Sequence, residues 1–325
     1  MTLPDDYRPA PAAAGARLPW RDMPERVRAA LDAWLGSPVV SAQSQPSGFS
    51  PGAASRLRTA DGRRYFAKAV GPELNPITPG MHRQEARVLA ALPERLPVAK
   101  LLWSYDEGED GWILLLLDDV DGAHPVEPWR PDELARALDS LTCLATALTP
   151  VPPGLADLEP VGASGFLRGR WWARLAFDPP AGLDAWSRRH LDRLAELEID
   201  APDAVAGETV VHLDFRADNL LLTPDEVIVV DWAHARIGAP WIDLLAFLPS
   251  VAMQGGPAPE SLFRQHPLGH DADPAQVNAV LAAIAGYFTY GQHQPEPPEL
   301  PGLRAFQGAQ GVEARRWLAG RMGWS

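Results

Sequence analysis

Two oxygen-bearing side chains, Asn219 and Asp231, flank a short segment with the pattern of a β-hairpin. Its apolar runs, residues 220–222 and 227–230, are separated by residues 223–226, where a Pro at the second turn position suits a type I turn. A hairpin closed by this turn would bring Asn219 and Asp231 together at its open end, because adjacent strands lie ~4.8 Å apart. Both side chains offer the oxygen ligands that Mg²⁺ prefers, so the pair predicts a magnesium site.

Asp214 lies just upstream of the predicted hairpin, and its carboxylate is a candidate general base. A carboxylate beside a Mg²⁺ site can accept the proton of an attacking hydroxyl. His212, Asp214 and Asn219 follow the order H-x-D-x-x-x-x-N, which is the catalytic-loop pattern of protein kinases. Asp231 then takes the position of the kinase metal-binding Asp, although Trp-Ala follows it where kinases have Phe-Gly. The alternative is a polar turn beside a buried hairpin.

A buried ion pair is predicted in the N-terminal third of the chain. Lys68 and Lys100 are the only lysines, and Lys68 stands within an apolar strand pattern at residues 64–70. Residues 81–92 have the periodicity of a helix, and Glu85 falls on its apolar face. An unpaired buried carboxylate is costly, so Lys68 is the expected partner. The alternative places Glu85 in water at the edge of that face.

Two polar segments are candidates for contacts with a nucleotide. Residues 45–55 connect two predicted strands and contain Gly48 and Ser50, whose backbone N–H groups would lie over phosphates. This loop lacks the G-x-G-x-x-G pattern, and an ordinary hairpin connection is the alternative. Residues 118–122, which begin with Asp118, are polar and predict a hinge whose backbone groups would meet a purine edge.

Composition restricts the class of protein. The chain has 325 residues, which favours two lobes, and a net charge of −13, which argues against a nucleic-acid partner. An acidic surface suits a cationic small molecule, with a merely solvated surface as the alternative. No apolar run reaches the ~18 residues that a membrane span needs, and the N-terminus lacks a signal-peptide pattern. With Cys143 as the single cysteine, intrachain disulfides are excluded, and we expect a cytoplasmic protein.

The ordered motifs resemble the aminoglycoside phosphotransferase and small-molecule kinase family. The most specific part is H-L-D-F-R-A-D-N-L-L, followed by V-V-D-W and then G-A-P-W-I-D-L, and the resemblance covers residues 37–250. It implies an α+β, bilobal protein-kinase-like fold, with a small β-rich N-lobe and a larger helical C-lobe that carries a catalytic β-hairpin. One departure is Leu213, where many family members have Gly.

Four segments follow from the composition and this resemblance. Residues 1–19, rich in Pro and Ala, are expected to be a flexible arm. Residues 20–117 would form the nucleotide-binding N-lobe, and residues 118–122 the hinge. Residues 123–325 would form the C-lobe with the catalytic loop and the acceptor site.

The resemblance also implies roles for the candidate nucleotide and metal residues. Lys68 would hold the α- and β-phosphates of ATP, with GTP as an alternative, and Glu85 would orient Lys68. Asp214 would be the catalytic base. Asn219 and Asp231 would hold Mg²⁺.

Further residues would support the site. By the same resemblance, Leu116 to Asp118 would meet the adenine through their backbone, His212 would brace the catalytic loop, and Asp243 would steady that loop. Arg216 stands where protein kinases have a Lys that reaches the transferred phosphate. We therefore expect Arg216 to neutralise charge on the γ-phosphoryl group, with pairing to a nearby acid, Asp218, as the alternative.

The implied reaction is phosphate transfer to a hydroxyl of a small molecule, with an aminoglycoside-like acceptor favoured. Macrolides, choline-like amines and sugars are alternatives, and a nucleotide-binding pseudokinase module is a less favoured one. The interval between Asp231 and Asp243 is too short for the activation segment on which protein kinases dock a polypeptide. We expect the acceptor between the catalytic loop and the later helices. Acidic segments at residues 270–273 and 296–299 would lend carboxylates to a cationic acceptor.

Overall fold

The computed structural model describes residues 17–45, 51–297 and 300–324, and these form a β-rich N-terminal lobe and a larger helical C-terminal lobe. The bilobal α+β architecture is the one that the sequence predicts. Most of the arm expected at residues 1–19 lies outside the described residues.

Within residues 17–45 and 51–117, the N-terminal lobe consists of one antiparallel sheet and two α-helices. Its strands follow the order β1-β2-β3-β5-β4. Gly62 closes the β2–β3 turn with a φ of 89°, a backbone conformation that glycine adopts without strain. The elements of this lobe are α1 (Glu25–Leu35), β1 (Val39–Ser44), β2 (Ala53–Thr59), β3 (Arg64–Val70), α2 (Thr78–Ala91), β4 (Leu101–Asp106) and β5 (Ile113–Leu117).

The C-terminal lobe is built mainly from helices, and α11 lies at its centre. Residues 279–286 of α11 are all buried, which explains why this stretch is apolar on every side. Helix α12 packs along α11. The helices are α3 (Pro131–Ala147), α4 (Gly165–Arg168), α5 (Trp171–Phe177), α6 (Ala185–Leu197), α7 (Ala201–Ala204), α8 (Ile242–Met253), α9 (Pro259–Gln265), α10 (Pro267–His270), α11 (Pro274–Gln292) and α12 (Leu303–Met322).

Four short strands in the C-terminal lobe frame the candidate site. They are β6 (Thr209–Val211), β7 (Leu220–Leu222), β8 (Val227–Val229) and β9 (Arg236–Gly238). Strands β7 and β8 form the predicted hairpin, whose turn is closed by a 3.0 Å hydrogen bond from Thr223 N to the carbonyl of Glu226. Strands β6 and β9 pair with each other, so both ends of the catalytic segment are held in place.

The connection between the lobes is attached to this hairpin. After β5, the amide of Ala123 donates to the carbonyl of Leu222 at 3.1 Å, and the amide of Leu222 donates back at 2.7 Å. A second link comes from α2, where Gln84 Nε2 donates to the carbonyl of Ala235 at 3.1 Å. The hairpin and the segment that follows it therefore both contact the N-terminal lobe and its connection. Within the described ranges, no helix combines the length and apolarity that a bilayer crossing requires.

Candidate active site

The loop before the hairpin is held by His212 and Asp243. Asp243, near the start of α8, accepts hydrogen bonds from the amides of His212 at 2.7 Å and Leu213 at 2.8 Å. His212 Nδ1 accepts from the amide of Asp214, so the ring proton sits on Nε2, which donates to the carbonyl of Val230 at 2.9 Å. Burial lowers the pKa of His212, which keeps the ring neutral in this bonding pattern. These contacts are the bracing that the sequence predicts for both residues.

Two non-glycine residues of the site adopt left-handed backbone conformations. Leu213 has a φ of 61° and Asp231 a φ of 68°. Such residues cost of order 1–3 kcal/mol and persist where the surrounding structure holds them, which is typical of functional sites. The conformation at Leu213 is one that Gly adopts freely, which gives a physical reason for the Gly that many phosphotransferases carry there.

Asp214 is held by two neighbours and is open on one side. Asn219 Nδ2 donates to the backbone carbonyl of Asp214 at 2.8 Å and to its carboxylate at 2.9 Å. Arg216 Nε lies 3.4 Å from the other carboxylate oxygen, and the Asp214 side chain remains 27% exposed. Burial raises the pKa of Asp214, and the Arg216 guanidinium opposes that rise. An oriented carboxylate with a raised pKa and an open face can accept a proton.

Arg216 forms an ion pair with Asp218, which is the alternative role considered for it in the sequence analysis. Its Nε and Nη2 atoms lie 3.1 and 2.8 Å from the two carboxylate oxygens of Asp218. Its guanidinium carbon also lies 5.2 Å from the ring centroid of Phe306. Arg216 is therefore fixed beside Asp214 by other contacts, and a direct role toward a phosphoryl group stays a prediction.

Lys68 forms the predicted pair with Glu85 and a second pair with Asp231. The Lys68 ammonium lies 2.8 and 3.0 Å from the two oxygens of Glu85, whose side chain is only 1% exposed. It also lies 3.1 Å from Asp231 Oδ1. Burial would raise the pKa of Asp231, but the Lys68 ammonium lowers it below its usual range. Asp231 is therefore an ionised carboxylate held at the open end of the hairpin.

Comparison with models of protein families shows which family this sequence matches. A model of the phosphotransferase enzyme family matches residues 46–293, which include the hairpin, Lys68 and Glu85. The chain belongs to this phosphotransferase family. No curated protein sequence matches the chain.

Solved structures confirm the fold of this phosphotransferase. A thermostable mutant of aminoglycoside phosphotransferase APH(4)-Ia, in a ternary complex with ADP and hygromycin B, superposes with a TM-score of 0.60 at 17% identity, covering 92% of this chain and 99% of that one. Choline kinase LicA from Streptococcus pneumoniae gives 0.60 at 15% identity, covering 91% and 98%. Macrolide 2′-phosphotransferase type I gives 0.53 at 16% identity, covering 98% and 99%.

The oxygen atoms of Asn219 and Asp231 fit the ligand chemistry of a Mg²⁺ ion. Because Asn219 points its amide nitrogen at Asp214, its amide oxygen is turned away from that carboxylate. The Asp231 side chain is 42% exposed, and one of its oxygens contacts Lys68. In the part of the chain that the structure describes, no cluster of three or more His, Cys, Asp or Glu side chains could hold a metal. Mg²⁺ suits such a sparse set, because it commonly takes one or two protein ligands and completes its shell with water and phosphate.

The predicted nucleotide contacts need one correction. Leu116 lies inside β5, in register with Ala67 of β3 and Trp103 of β4, so its peptide groups are bonded within the sheet. The prediction that Leu116 offers its backbone to adenine is therefore wrong. The amide of Asp118 donates to the carbonyl of Lys100 at 3.0 Å, so the carbonyl of Asp118 is the group that stays a candidate. Gly48 and Ser50 lie outside the described residues.

Sequence reasoning missed a set of side chains that the last two helices bring to Asp214. Burial raises the pKa of Tyr287, on α11, and the nearby Asp214 carboxylate raises it further. The Tyr287 hydroxyl bonds to Gln307 of α12, whose Oε1 accepts a 2.8 Å hydrogen bond from Arg304. No motif marks these residues, because they lie far along the chain in ordinary helical patterns. They form a hydrogen-bonded polar group that lies close enough to the catalytic loop for the Asp214 charge to act on Tyr287.

Proposed function

We propose that this phosphotransferase moves the γ-phosphate of ATP to a hydroxyl of a small molecule. The observation that carries the proposal is the Asp214 carboxylate, which Asn219 and Arg216 orient at the open end of the hairpin beside Asp231. Lys68, paired with Glu85, stands on the other side of Asp231 and supplies an ammonium for the phosphates. The base, the candidate metal ligands and the phosphate-binding cation therefore share one cleft.

The residues divide the reaction between them. Lys68 would contact the α- and β-phosphates, and Glu85 would hold its ammonium in place. Mg²⁺, held by Asn219 and Asp231, would neutralise charge on the phosphates. The acceptor oxygen forms a bond to the γ-phosphorus while the bond from that phosphorus to the β,γ-bridging oxygen breaks. Asp214 takes the hydroxyl proton, and ADP leaves.

The two lobes would contribute different halves of this cleft. We assign nucleotide binding to residues 20–117 and the hinge to residues 118–122, where the carbonyl of Asp118 would meet the purine. Residues 123–325 would supply the base and the acceptor site. ATP is favoured over GTP because the aminoglycoside phosphotransferase relative was solved with ADP.

The acceptor would lie between the catalytic loop and the wall formed by Tyr287 and Gln307. An aminoglycoside-like acceptor is favoured, because one structural relative was solved with hygromycin B, and other hydroxylated metabolites are the alternatives. The acidic segment at residues 270–273 does not support this site. It precedes α11, and a helical rise of 1.5 Å per residue places Asp273 about 20 Å from Tyr287. The carboxylates left for a cationic acceptor are those of Asp214, Asp218 and Glu296. Glu299 lies outside the described residues.

Phosphate transfer to a panel of acceptors tests the proposal. The purified protein is incubated with MgATP or MgGTP and aminoglycosides, macrolides, choline-like amines or neutral sugars, and a mass gain of one phosphate is measured. We expect transfer to an aminoglycoside-like acceptor that weakens as salt rises, because salt screens a cationic ligand from the cleft carboxylates. Efficient transfer only to neutral acceptors would contradict the expectation that the acceptor is cationic. Nucleotide binding with neither transfer nor hydrolysis would instead identify a pseudokinase.

A further inference from the structure

A segment that precedes the N-terminal lobe runs to the edge of the nucleotide site. The amide of Leu18 donates to the carbonyl of Gly52, at the start of β2, at 3.3 Å. Trp20 and Met23 follow at once and are buried in the core of the N-terminal lobe. These contacts fix the position of Arg17, the residue before Leu18.

Arg17 is held close to the charged groups of the site. A Cβ on Gly52 would collide with the carbonyl oxygen of Ala69, so the chain at Gly52 lies against β3 immediately beside Lys68. Burial lowers the pKa of Arg17, and the Asp231 carboxylate opposes that change, so the two charges lie within range of each other. Arg17 therefore brings a cation to the end of the sheet where Lys68 and Asp231 meet.

His82 is a second polar group at the same place. It lies on α2, one turn before Glu85, and is 6% exposed. In the described part of the chain, His82 Nδ1 has no hydrogen-bond partner. A buried polar atom of this kind costs about 1–3 kcal/mol unless a ligand satisfies it. The charges that act on its ring are those of Lys68, Asp231 and Arg17, and burial lowers its pKa to about 3, so the ring is neutral.

The carboxylates beside Lys68 limit the positive charge that it can offer to a ligand. Lys68 is the cation of the ion-pair network, but it faces two carboxylates, those of Glu85 and Asp231. A polyphosphate entering this space needs further positive charge and further donors. The planar guanidinium of Arg17 is suited to phosphate oxygens, and a neutral imidazole can donate one hydrogen bond.

We propose that Arg17 and His82 bind the terminal phosphates of the nucleotide. The N-terminal segment then supplies a phosphate contact in a chain whose loop at residues 45–55 lacks the G-x-G-x-x-G pattern. This inference rests on the proposed function. It adds that recognition of ATP over adenosine depends on a residue that precedes the N-terminal lobe.

Binding of a nucleotide series tests the inference. Affinities for ATP, ADP, AMP and adenosine are measured by calorimetry, with Mg²⁺ present, for the wild type, Arg17→Gln and His82→Leu. We expect Arg17→Gln to weaken ATP binding at least tenfold, ADP binding less, and adenosine binding not at all. His82→Leu should also weaken ATP binding more than ADP binding and leave adenosine binding unchanged, but its loss of affinity should be smaller. The control is Arg21→Gln in the same segment, whose side chain is 85% exposed and should bind like the wild type.

The outcomes separate this inference from the proposed function. A wild type that fails to bind MgATP would overturn both. A wild type that binds MgATP, with Arg17→Gln either unchanged or weakened equally for adenosine, would overturn the inference alone. If Arg17→Gln fails to fold, a labelling experiment on the wild type still tests the inference. Arginine labelling with phenylglyoxal, read by peptide mass spectrometry, should show Arg17 protected by MgATP but not by adenosine, and equal labelling with both would overturn the inference.

Discussion

The two walls of the cleft are built in different ways. On the side proposed to bind the nucleotide, Lys68 joins Glu85 and Asp231 in a network in which the Glu85 side chain is 1% exposed. On the side proposed to bind the acceptor, Tyr287 and Gln307 are neutral polar groups that belong to two C-terminal helices. The proposed nucleotide wall is thus a set of paired charges, and the proposed acceptor wall is a set of hydrogen-bonding side chains.

This difference in construction predicts a difference in tolerance to mutation. A buried charge is stable only beside its partner, so the nucleotide wall allows one geometry. A neutral hydrogen-bonding group at the cleft can exchange its protein partner for water or ligand at a net cost of about 1 kcal/mol. We therefore expect nucleotide-side substitutions to reduce transfer to every acceptor, and acceptor-side substitutions to change which acceptor is preferred.

The largest effect is expected at Asp214, where the two walls meet. Asp214→Asn keeps the shape of the side chain but removes the base, and general-base catalysis contributes roughly 10²–10⁴-fold. We expect kcat to fall by that factor for every acceptor while MgATP affinity, measured by calorimetry, is retained. Asp225→Asn, in the exposed turn of the same hairpin, is the matched control. Near wild-type turnover of Asp214→Asn would exclude this residue as the base.

Loss of Lys68 should give the next largest effect, confined to nucleotide use. Lys68→Ala removes charge-assisted hydrogen bonds worth about 1.5–3 kcal/mol, so kcat/KM for MgATP should fall roughly 10–150-fold. Without Lys68, burial and Asp231 both raise the pKa of Glu85, which takes up a proton and so limits the loss of thermal stability. Lys68→Arg should not restore activity, because a planar fork cannot replace a compact ammonium.

The other lysine gives the control for this prediction. Lys100 donates to the carbonyl of Leu96 at 3.0 Å, away from the ion-pair network of Lys68. Lys100→Ala should therefore leave the MgATP kinetics unchanged. Unchanged kinetics in both Lys68 variants would contradict the role of Lys68.

Sequence reasoning predicted the hairpin and the Lys68–Glu85 pair correctly because their signals are local or energetic. The hairpin follows from two apolar runs and a Pro-containing turn, and at its open end the amide of Val230, one residue before Asp231, donates to the carbonyl of Asn219. The Lys68–Glu85 pair follows from the cost of a carboxylate on an apolar helical face. Neither argument needs the rest of the fold.

The remaining features depend on how distant parts of the chain pack. Tyr287 reaches the cleft through the packing of α11 against α12, which no spacing in the sequence reveals. The error at Leu116 has a similar origin, because an apolar run does not show where a strand ends and its peptide groups become available. Arg17 and His82 lie in segments without a motif, and the position of Arg17 depends on the contact of Leu18 with Gly52.

Arg216 stands between the two walls, and the pH dependence of activity distinguishes its possible roles. Burial raises the pKa of Asp214, and Arg216 opposes that rise. Arg216→Gln should therefore raise this pKa further, so the acid limb of kcat/KM moves to higher pH because the base protonates earlier as pH falls. At the plateau we expect a loss of roughly tenfold from the missing charge-assisted contact.

The substitution Asp218→Asn should move the acid limb of kcat/KM in the opposite direction. The Asp218 carboxylate raises the pKa of Asp214, so its removal should move the acid limb to lower pH. Shifts in opposite directions would show that Arg216 acts on the base. A fall in kcat at every pH for Arg216→Gln, with no shift of the limb, would instead support direct neutralisation of the phosphoryl group.

The smallest effect is expected on the acceptor wall, at Tyr287. Tyr287→Phe removes one neutral hydroxyl, whose hydrogen bond contributes about 1 kcal/mol, or roughly fivefold. We expect KM for the acceptor to rise by that factor while KM for MgATP stays constant, because Tyr287 bonds to Gln307 on α12 and not to the Lys68 network. The loss should differ between acceptors, since each presents a different group to this wall. Tyr290→Phe is the matched control, because Tyr290 lies on the same helix with its ring packed 5.2 Å from that of Trp171. An equal loss for every acceptor, or a rise in KM for MgATP, would show that the two walls are not independent.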